Sequence, residues 1–575
     1  MNIFSHFSER ITNIADQLIA NGQITLSGDP IIAQCEPPRD PSHGDLSTNV
    51  AMVMAKSAGM SPRDLAALFG PHIQALDGIE TVSIAGPGFI NMTLDTKMWQ
   101  DRISDILTMG SDWGNSTLGQ GETINVEYVS ANPTGPLHAA HARGAIVGDS
   151  LANLLEKSGY LVTREYYIND AGAQVDVLAR SVFTRYRQAL GDKEAMVGEG
   201  QYPGEYLIET GQKIADLHGD DLLKMDESAW LPLVRDFAIK DMMVSIKTDL
   251  ERLNIHMDRF SSERALVDSG TVDATIQKLQ DKHLIYQGVL EKPKAGNAED
   301  WEPREQMLFR STDFGDDVDR AVMKSDGTWT YFASDIAYHL DKIDRGSKTL
   351  VDIWGADHGG YVKRMKSAVA AFTGNKESLN VQLVQLVKLM DNGQQVKMSK
   401  RAGTFVTLSD VLDAVGRDIL RFIMLTRRAD QTMDFDYAEV TKQTRDNPVF
   451  YVQYAHARAC SVLRQDEAKL VSDIEADLSC LTDDHELALI KLLATFPRQI
   501  EAAAQSFEPH RIAFYLMDLA AAFHGLWNRG RDEASLRFIV DDKMISAARC
   551  KLVQATAVVI CNGLAILGVD AIEEM

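Results

Sequence analysis

The sequence predicts an α/β chain in three parts. Residues 1–115 form a small α/β module, 116–442 a doubly wound, Rossmann-like domain interrupted by an insertion at about 175–325, and 443–575 an all-α helical bundle. Three observations carry this prediction. Ile124 to Asp170 reads as strand, helix, strand; the same alternation resumes after a long polar stretch; and from about Gln443 onward only helical patterns remain. In the first of these, Ile124, Val126 and Val129 mark a buried strand. A loop with Pro133, Gly135 and Pro136 follows, then a helix from about Leu137 to Lys157 with Ile146, Leu151, Leu154 and Leu155 on its buried side. Gly159 ends it, and Leu161 to Ile168 is a second strand. Such a βαβ unit makes its strands parallel.

Along the chain, Ile3, Phe7, Ile11, Ile14 and Leu18 recur at helical spacing, and a second helical stretch starts near Leu46 and runs through Val50, Met52 and Met54. Ser61-Pro62 opens a third helix, with Leu65, Leu68 and Phe69 as its apolar side. Thr81 to Ile84 and Phe89 to Leu94 alternate about Gly86-Pro87-Gly88, a hairpin signal. After Asp170 the insertion brings long polar helices, the loop Gln201 to Gly204 and the Pro/Glu/Lys-rich piece Glu291 to Arg304. Then Trp329 to Phe332 reads as a strand, Ser334 to Lys342 as a helix, Thr349 to Trp354 as a strand, Tyr361 to Phe372 as a helix and Leu383 to Leu389 as a strand. The two halves meet where the strand order reverses, the crevice such sheets offer to a nucleotide. In the bundle, helices span Phe450 to Leu463, His485 to Phe507 with a kink at Pro497, Arg511 to Trp527 and Ser546 to Leu567.

Composition narrows the class. The apolar fraction of 45% supports several cores in 575 residues. No run reaches the roughly 18 apolar residues of a membrane helix, and the N-terminal pattern is broken by Glu9, Arg10 and Asp16, so neither a membrane partner nor a signal peptide is expected. The five cysteines are scattered without CxxC spacing, which favours the reducing cytoplasm and argues against a zinc site. Net charge is −24, yet Lys388 to Arg428 carries eight basic residues against four acidic. A basic stripe on an acidic body suits one specific RNA better than bulk nucleic acid.

His138 and His141 share the first turn of the predicted helix, beside free backbone N–H groups and the positive end of its dipole. The place suits polyphosphate oxygens. Alone, the pair reads equally as a cap or as surface histidines. Far along the chain, Lys397-Met398-Ser399-Lys400-Arg401 forms a short basic loop after the turn Asp391-Asn392-Gly393. Here a resemblance becomes specific. His138-Ala139-Ala140-His141 is similar to the HIGH signature of class I aminoacyl-tRNA synthetases, and Lys397 to Lys400 reproduces their KMSK signature. The flanking text (VEYVSANPTGPLHAAHARGA, REYYINDAG, WTYFASDIAYHLDK, VDIWGADHGGYVKR) resembles bacterial arginyl-tRNA synthetases nearly end to end.

The resemblance implies an ATP-dependent, AMP-forming ligase. It would activate L-arginine as an adenylate and pass it to the 3′ end of tRNA(Arg), with tRNA needed for activation. Implied catalytic residues are His138, His141, Lys397 and Lys400. ATP would meet these together with Gly355, Asp357, His358, Met398 and Ser399. Arginine would be held by Glu127, Ser130, Asn132, His141, Tyr331 and Asp335, since a guanidinium fork calls for carboxylates. Glu127 also reads as an ordinary acid paired with Arg164, and Asp335 as a helix cap. Arg401, Tyr454, Trp527 and Met575 are the candidates for tRNA contact; aromatic rings stack on splayed anticodon bases. Mg²⁺ is expected with the ATP substrate, no protein-ligated metal, and a cytoplasmic monomer. One residue departs from the family: the third position of the first signature is Ala140 rather than glycine.

Three rivals remain at this point. A small-molecule nucleotidyltransferase would not need the helical bundle. A silent synthetase-like RNA-binding protein would be expected to lose the lysines of the second signature. Another class I synthetase would differ around the site: a cysteine enzyme needs zinc ligands, a glutamate enzyme cations where Glu127 and Asp335 stand.

Overall fold

The computed structural model describes residues 2–28, 31–290, 304–396, 406–444 and 446–575. At its centre lies a five-stranded, wholly parallel sheet: β1 (Thr123–Glu127), β2 (Leu161–Ile168), β3 (Arg259–Ser262), β4 (Thr349–Gly355) and β5 (Leu379–Val384), in the spatial order β5-β4-β1-β2-β3. The chain builds outward from β1 on one side and then, after the insertion, on the other. The reversal therefore falls between β1 and β4, where a doubly wound sheet opens a crevice at the carboxyl ends of its strands.

β1 is two-faced. Ile124, Val126 and Tyr128 are buried under α1 (Ala139–Lys157), which comes so close that a Cβ on Gly148 would stand 2.3 Å from the Tyr128 ring. Asn125 and Glu127 face the other way, toward α5 (Tyr331–Asp344), which supplies Lys342 to Glu127. This period-2 split is what a strand buried on both faces does when one face carries function.

The insertion contributes α2 (Ala173–Ala189), α3 (Tyr206–His218) and α4 (Glu227–Arg252), with a core of their own around Leu178, Tyr186, Leu207 and Val234 and a Phe183–Trp230 stack at 3.7 Å. The sequence-based reading of 175–325 as one excursion needs correction: β3 lies inside it and returns to the edge of the central sheet. A four-residue strand with the exposed Arg259 and no alternating apolar pair leaves no periodic signal.

Other boundaries also differ. Leu46–Thr48 is a strand of the N-terminal antiparallel sheet, and the helix begins only at Val50. Tyr331 and Phe332 open α5 rather than closing a strand; Thr330 caps that helix by accepting a hydrogen bond from Ala333 N–H. The run Leu383 to Leu389 is split. β5 ends at Val384, and Val387–Asp391 joins a separate small sheet. β5 is followed by α6 only in space, not in sequence, since α6 (Val362–Thr373) precedes it and covers β4 and β5.

The C-terminal part is helical: α9 (Pro448–Leu463), α10 (Asp484–Ala494), α11 (Phe496–Ser506), α12 (His510–Asp532) and α13 (Lys543–Leu567), after the short α7 (Leu408–Val415) and α8 (Arg417–Met424). The single kinked helix expected at 485–507 is two helices meeting at Thr495, with Pro497 in the first turn of α11, where its missing N–H costs nothing. α13 is long and apolar enough to cross a membrane, by length and composition, but it forms the buried centre of the bundle and packs on α9, α12 and α1. The N-terminal module docks on the same bundle through Asn2–Glu501 and Asp45–Lys491 contacts.

Candidate active site

His138 is the N-cap residue of α1 and His141 stands one turn in. The His138 N–H donates to His141 Nδ1 at 3.0 Å, and the two rings lie 5.2 Å apart. That bond leaves the His141 Nε2 side turned away from the backbone it caps. Residues 406–408 pair with 137–139: Ala139 N–H donates to Val406 O (3.1 Å), Leu408 N–H to Leu137 O (2.8 Å), and His138 bridges Thr407. Lys397, Met398, Ser399, Lys400 and Arg401 lie outside the described residues; Val406 to Leu408 are zipped onto the histidine turn. Arg143, wholly buried one turn further along α1, donates to the carbonyls of Gln385, Gln431 and Arg428 and so fixes α1 to the chain after β5.

The histidines face a cavity of about 180 Å³ walled by Asn132, Gly135, Tyr202, Gly204 and Tyr206. Its far wall is the insertion's loop, held by Tyr206 OH donating to Thr134 O at 2.8 Å. Tyr202 and Tyr206 were not singled out in the sequence; only their place in the Pro-Gly loop hinted at a wall.

Asn132 also borders a second cavity of about 420 Å³, lined by Glu127, Ser130, Asn169, Asp335, Gly355 and His358 among others. The turn between β1 and Asn132 is strained: Val129 and Ser130 take φ of 69° and 39°. For a β-branched residue this conformation is costly, of order 1–3 kcal/mol, and such strain concentrates at functional sites. It swings Ser130 Oγ back to donate to Glu127 Oε1 (2.9 Å) and to accept from Tyr167 N–H (3.1 Å).

The acids of this cavity are unequal. Glu127 Oε2 lies 2.5 Å from Lys342 Nζ, which also reaches Asp352 Oδ1 at 3.1 Å. Burial disfavours the Lys342 charge, but Asp352 and Glu127 outweigh it and raise the lysine's pKa. The expected Arg164 partnership of Glu127 is not formed; Arg164 is bound by Glu156 and lies 3.9 Å from Asp149. Asp335 accepts from Tyr361 OH at 2.6 Å and forms no ion pair with a lysine or arginine among the described residues. Burial, with Glu127 and Asp352 nearby, raises its pKa. It is not a cap, since the α5 N-cap is Thr330.

A third acid, outside the cavity lining but close to Asp335, escaped the sequence reading. Glu263, 6% exposed, opens the helix after β3 and makes no hydrogen bond or ion pair among the described residues. Burial and the neighbouring Asp335 and Asp170 push it up to about 7. The phenol oxygen of Tyr167, a cavity residue, is buried with no partner among the described residues, and that of Tyr338 lies against Glu127. An orphaned hydroxyl beside under-neutralised carboxylates suits a cation with several N–H donors.

Tyr331 is not brought in: it is 65% exposed at the start of α5, outside both cavity walls, with Lys324 Nζ 5.5 Å from its ring. Asp357 is exposed, beside the rim residue His358 at 3.7 Å. The basic stripe is thinner than composition implied. Arg421 is fully buried, and Arg417 and Arg428 pair with Asp418, Asp570 and Asp430. In the bundle, Tyr454 and Trp527 are joined by Arg458, whose guanidinium lies 4.4 Å and 4.7 Å from their ring centres, while Phe450 stacks on Tyr454 at 5.8 Å. Met575 is exposed at the chain end.

Comparison with known proteins agrees with this geometry. Family models match for "Arginyl tRNA synthetase N terminal domain" (residues 5–94), "tRNA synthetases class I (R), catalytic domain" (102–200) and "DALR anticodon binding domain" (452–575). The chain is 55% identical to the arginine–tRNA ligase of Parvibaculum lavamentivorans and 52% identical to that of Rhodospirillum rubrum, each over 100% of both chains. A crystal structure of a putative arginyl-tRNA synthetase from Campylobacter jejuni superposes with TM-score 0.73 at 32% identity, over 84% of this chain and 100% of that one. The Thermus thermophilus arginyl-tRNA synthetase shares the fold over 100% of both chains, with TM-score 0.76 at 18% identity. With full-length relatives at this identity, and an acid-lined cavity joined to a histidine-capped helix at the switch point, the chain belongs to the arginyl-tRNA synthetase family.

Proposed function

We propose that this chain ligates L-arginine to tRNA(Arg) in two steps across the two cavities that share Asn132. The acid-lined cavity takes the guanidinium: Asp335 and Glu127 face it as carboxylates, and Tyr167 and Tyr338 offer hydroxyls. Asn132 and Ser130 hold the α-amino end near the histidines. ATP lies along the start of α1 with its phosphates at His138 and His141, and Gly355 and His358 border its ribose. An oxygen of the arginine carboxylate attacks the α-phosphorus, the bond to the bridging oxygen breaks, and pyrophosphate leaves. No protein nucleophile is needed; positioning and charge stabilisation lower the barrier. His138 and His141 donate to the phosphate oxygens, and Lys397 and Lys400 neutralise the departing pyrophosphate. Mg²⁺ arrives as part of the ATP substrate, held by phosphate oxygens and water.

In the second step a hydroxyl of the tRNA's 3′-terminal ribose attacks the arginyl carbonyl carbon, and AMP leaves. The bundle holds the anticodon end, with Tyr454, Trp527 and Met575 as contacts and Arg458 between the rings. The chain works in the cytoplasm as a monomer, since one copy carries both cavities and the bundle.

The single observation behind the amino-acid assignment is a buried acid cluster, Glu127, Asp335 and Asp352, that holds one lysine among the described residues. ATP–pyrophosphate exchange with each amino acid, with and without tRNA, tests it. Exchange specific to arginine and dependent on tRNA is expected; exchange driven by another amino acid overturns the assignment.

A further inference from the structure

Arg421, on α8, is wholly buried and is the meeting point of three parts of the chain. Its Nε donates to Leu567 O (2.7 Å), at the last turn of α13; Nη1 donates to Leu253 O (2.7 Å), at the end of α4; and Nη2 reaches the Asp149 carboxylate on α1. One guanidinium thus caps the negative ends of two helices and closes on an acid in a third. The fit is tight. A Cβ on Gly568 would stand 2.3 Å from the guanidinium carbon, and Gly568 has φ +67°, so both space and conformation require glycine there. Asn153, one turn beyond Asp149 on α1, adds a second tie to α13 by donating to Ile566 O at 3.1 Å.

The elements so joined lead to different sites. α1 runs back to His138 and His141. α4 runs on to β3, which pairs along β2, the strand that carries the cavity residue Tyr167. α13 continues into residues 568–575, held on α9 by Gln453 to Asp570 O (3.1 Å), His456 to Ile572 O (2.9 Å) and Arg464 to Glu573 O (3.1 Å). That is the helix that carries Tyr454 and Arg458. Hydrogen bonds and the helices they join therefore run from the helix that carries Tyr454 and Arg458, through Arg421, to α1 with its histidines and to the end of α4.

We infer that the Arg421–Asp149 bridge is a positioning link through which tRNA held by the C-terminal bundle sets the orientation of α1, and with it the rate of arginine activation. This rests on the two-step reading above. A contiguous packed network is the physical means by which distant sites couple. A planar fork is required because the three acceptors lie in three directions, which lysine cannot satisfy.

The test compares intact tRNA(Arg) with a minihelix that carries only the acceptor stem and 3′ end. In Arg421→Lys, kcat for intact tRNA is expected to fall about tenfold, inside the roughly 5- to 150-fold span of site-to-site couplings, with minihelix kcat, the KM for arginine and the affinity for tRNA unchanged. Asn153→Ala, a milder cut of the same link, should lower the intact-to-minihelix ratio in the same direction, which keeps the inference testable should the first variant not fold. Equal losses on both RNAs would mark the bridge as structural only, and no loss would remove it from the path; either overturns the inference. Wild-type protein that fails to charge intact tRNA with arginine would instead overturn the two-step reading itself.

Discussion

Lys342 Nζ lies between Glu127 on β1 and Asp352 on β4, at 2.5 Å and 3.1 Å, in the gap where the strand order reverses. Glu127 and Asp352 are register partners on adjacent strands, so two carboxylates project side by side from the sheet. Without a cation there the switch point would repel itself. Lys342→Met is expected to destabilise the protein by about 3–5 kcal/mol, because it strands buried charge. Urea unfolding monitored by circular dichroism measures this. The same cluster sets an acid limit: Lys342 and His339 hold Asp352 at about 2, below its ordinary 3.8, against a burial effect in the opposite sense. Its stabilising share is present above about pH 4 and is lost as pH falls through about 2.

Among the described residues Asp335 has no such ion pair, and it is the acid proposed to meet the substrate. Asp335→Asn retains the Tyr361 hydrogen bond and removes the charge. Loss of one partner in a desolvated charge pair costs roughly 2–5 kcal/mol, so kcat/KM for arginine should drop about 10²- to 10³-fold while tRNA affinity stays constant. Steady-state aminoacylation with a parallel filter-binding assay decides; unchanged arginine kinetics would take Asp335 out of the site.

Glu263 makes arginine binding proton-linked. It faces Tyr167 and Asp170 from β2 and the loop after it, and Asp335 from α5, with Arg264 beside it on its own helix. Its carboxyl, ordinarily near 4.5, is pushed up to about 7, chiefly by burial. A raised folded-state value means that its share of stability is fully present below about pH 4.5 and is lost as pH rises through about 7. A guanidinium entering the cavity restores a counter-charge and expels the proton. Arginine affinity should therefore rise between about pH 6 and 8, with proton release visible by calorimetry in buffers of different ionisation enthalpy. Glu263→Gln is expected to flatten that dependence.

Much of this site was legible because its chemistry sits on periodic elements. The βαβ unit fixed α1, and α1 fixed the histidine pair; Glu127 and Asn132 follow β1 directly. What escaped depends on spatial convergence. Glu263 comes close to Asp335 at the start of a helix that follows a strand too short to show a period, and Lys342 reaches Glu127, 215 residues back in the chain. Trp329 to Phe332 looked extended, whereas Thr330 already caps a helix and Tyr331 opens it with its ring exposed. Arg421 counted toward a surface stripe, since composition cannot separate a solvated arginine from one that caps two buried helix ends.

Ala140 offers the sharpest single-atom test. It occupies the second position of α1, exposed, directly before His141. Glycine at this place would let a nucleotide base approach the backbone, and the methyl of Ala140 is expected to push that base outward. Ala140→Gly should tighten ATP binding about fivefold, equivalent to about 1 kcal/mol. It should also lower stability by roughly 0.5–1 kcal/mol, since glycine loses more backbone freedom in a helix. The two effects have opposite signs and different readouts, titration calorimetry with ATP for one and thermal unfolding for the other. A variant that loses stability without gaining affinity would show that the site has already absorbed the methyl group, with the base displaced to a position the glycine cannot improve.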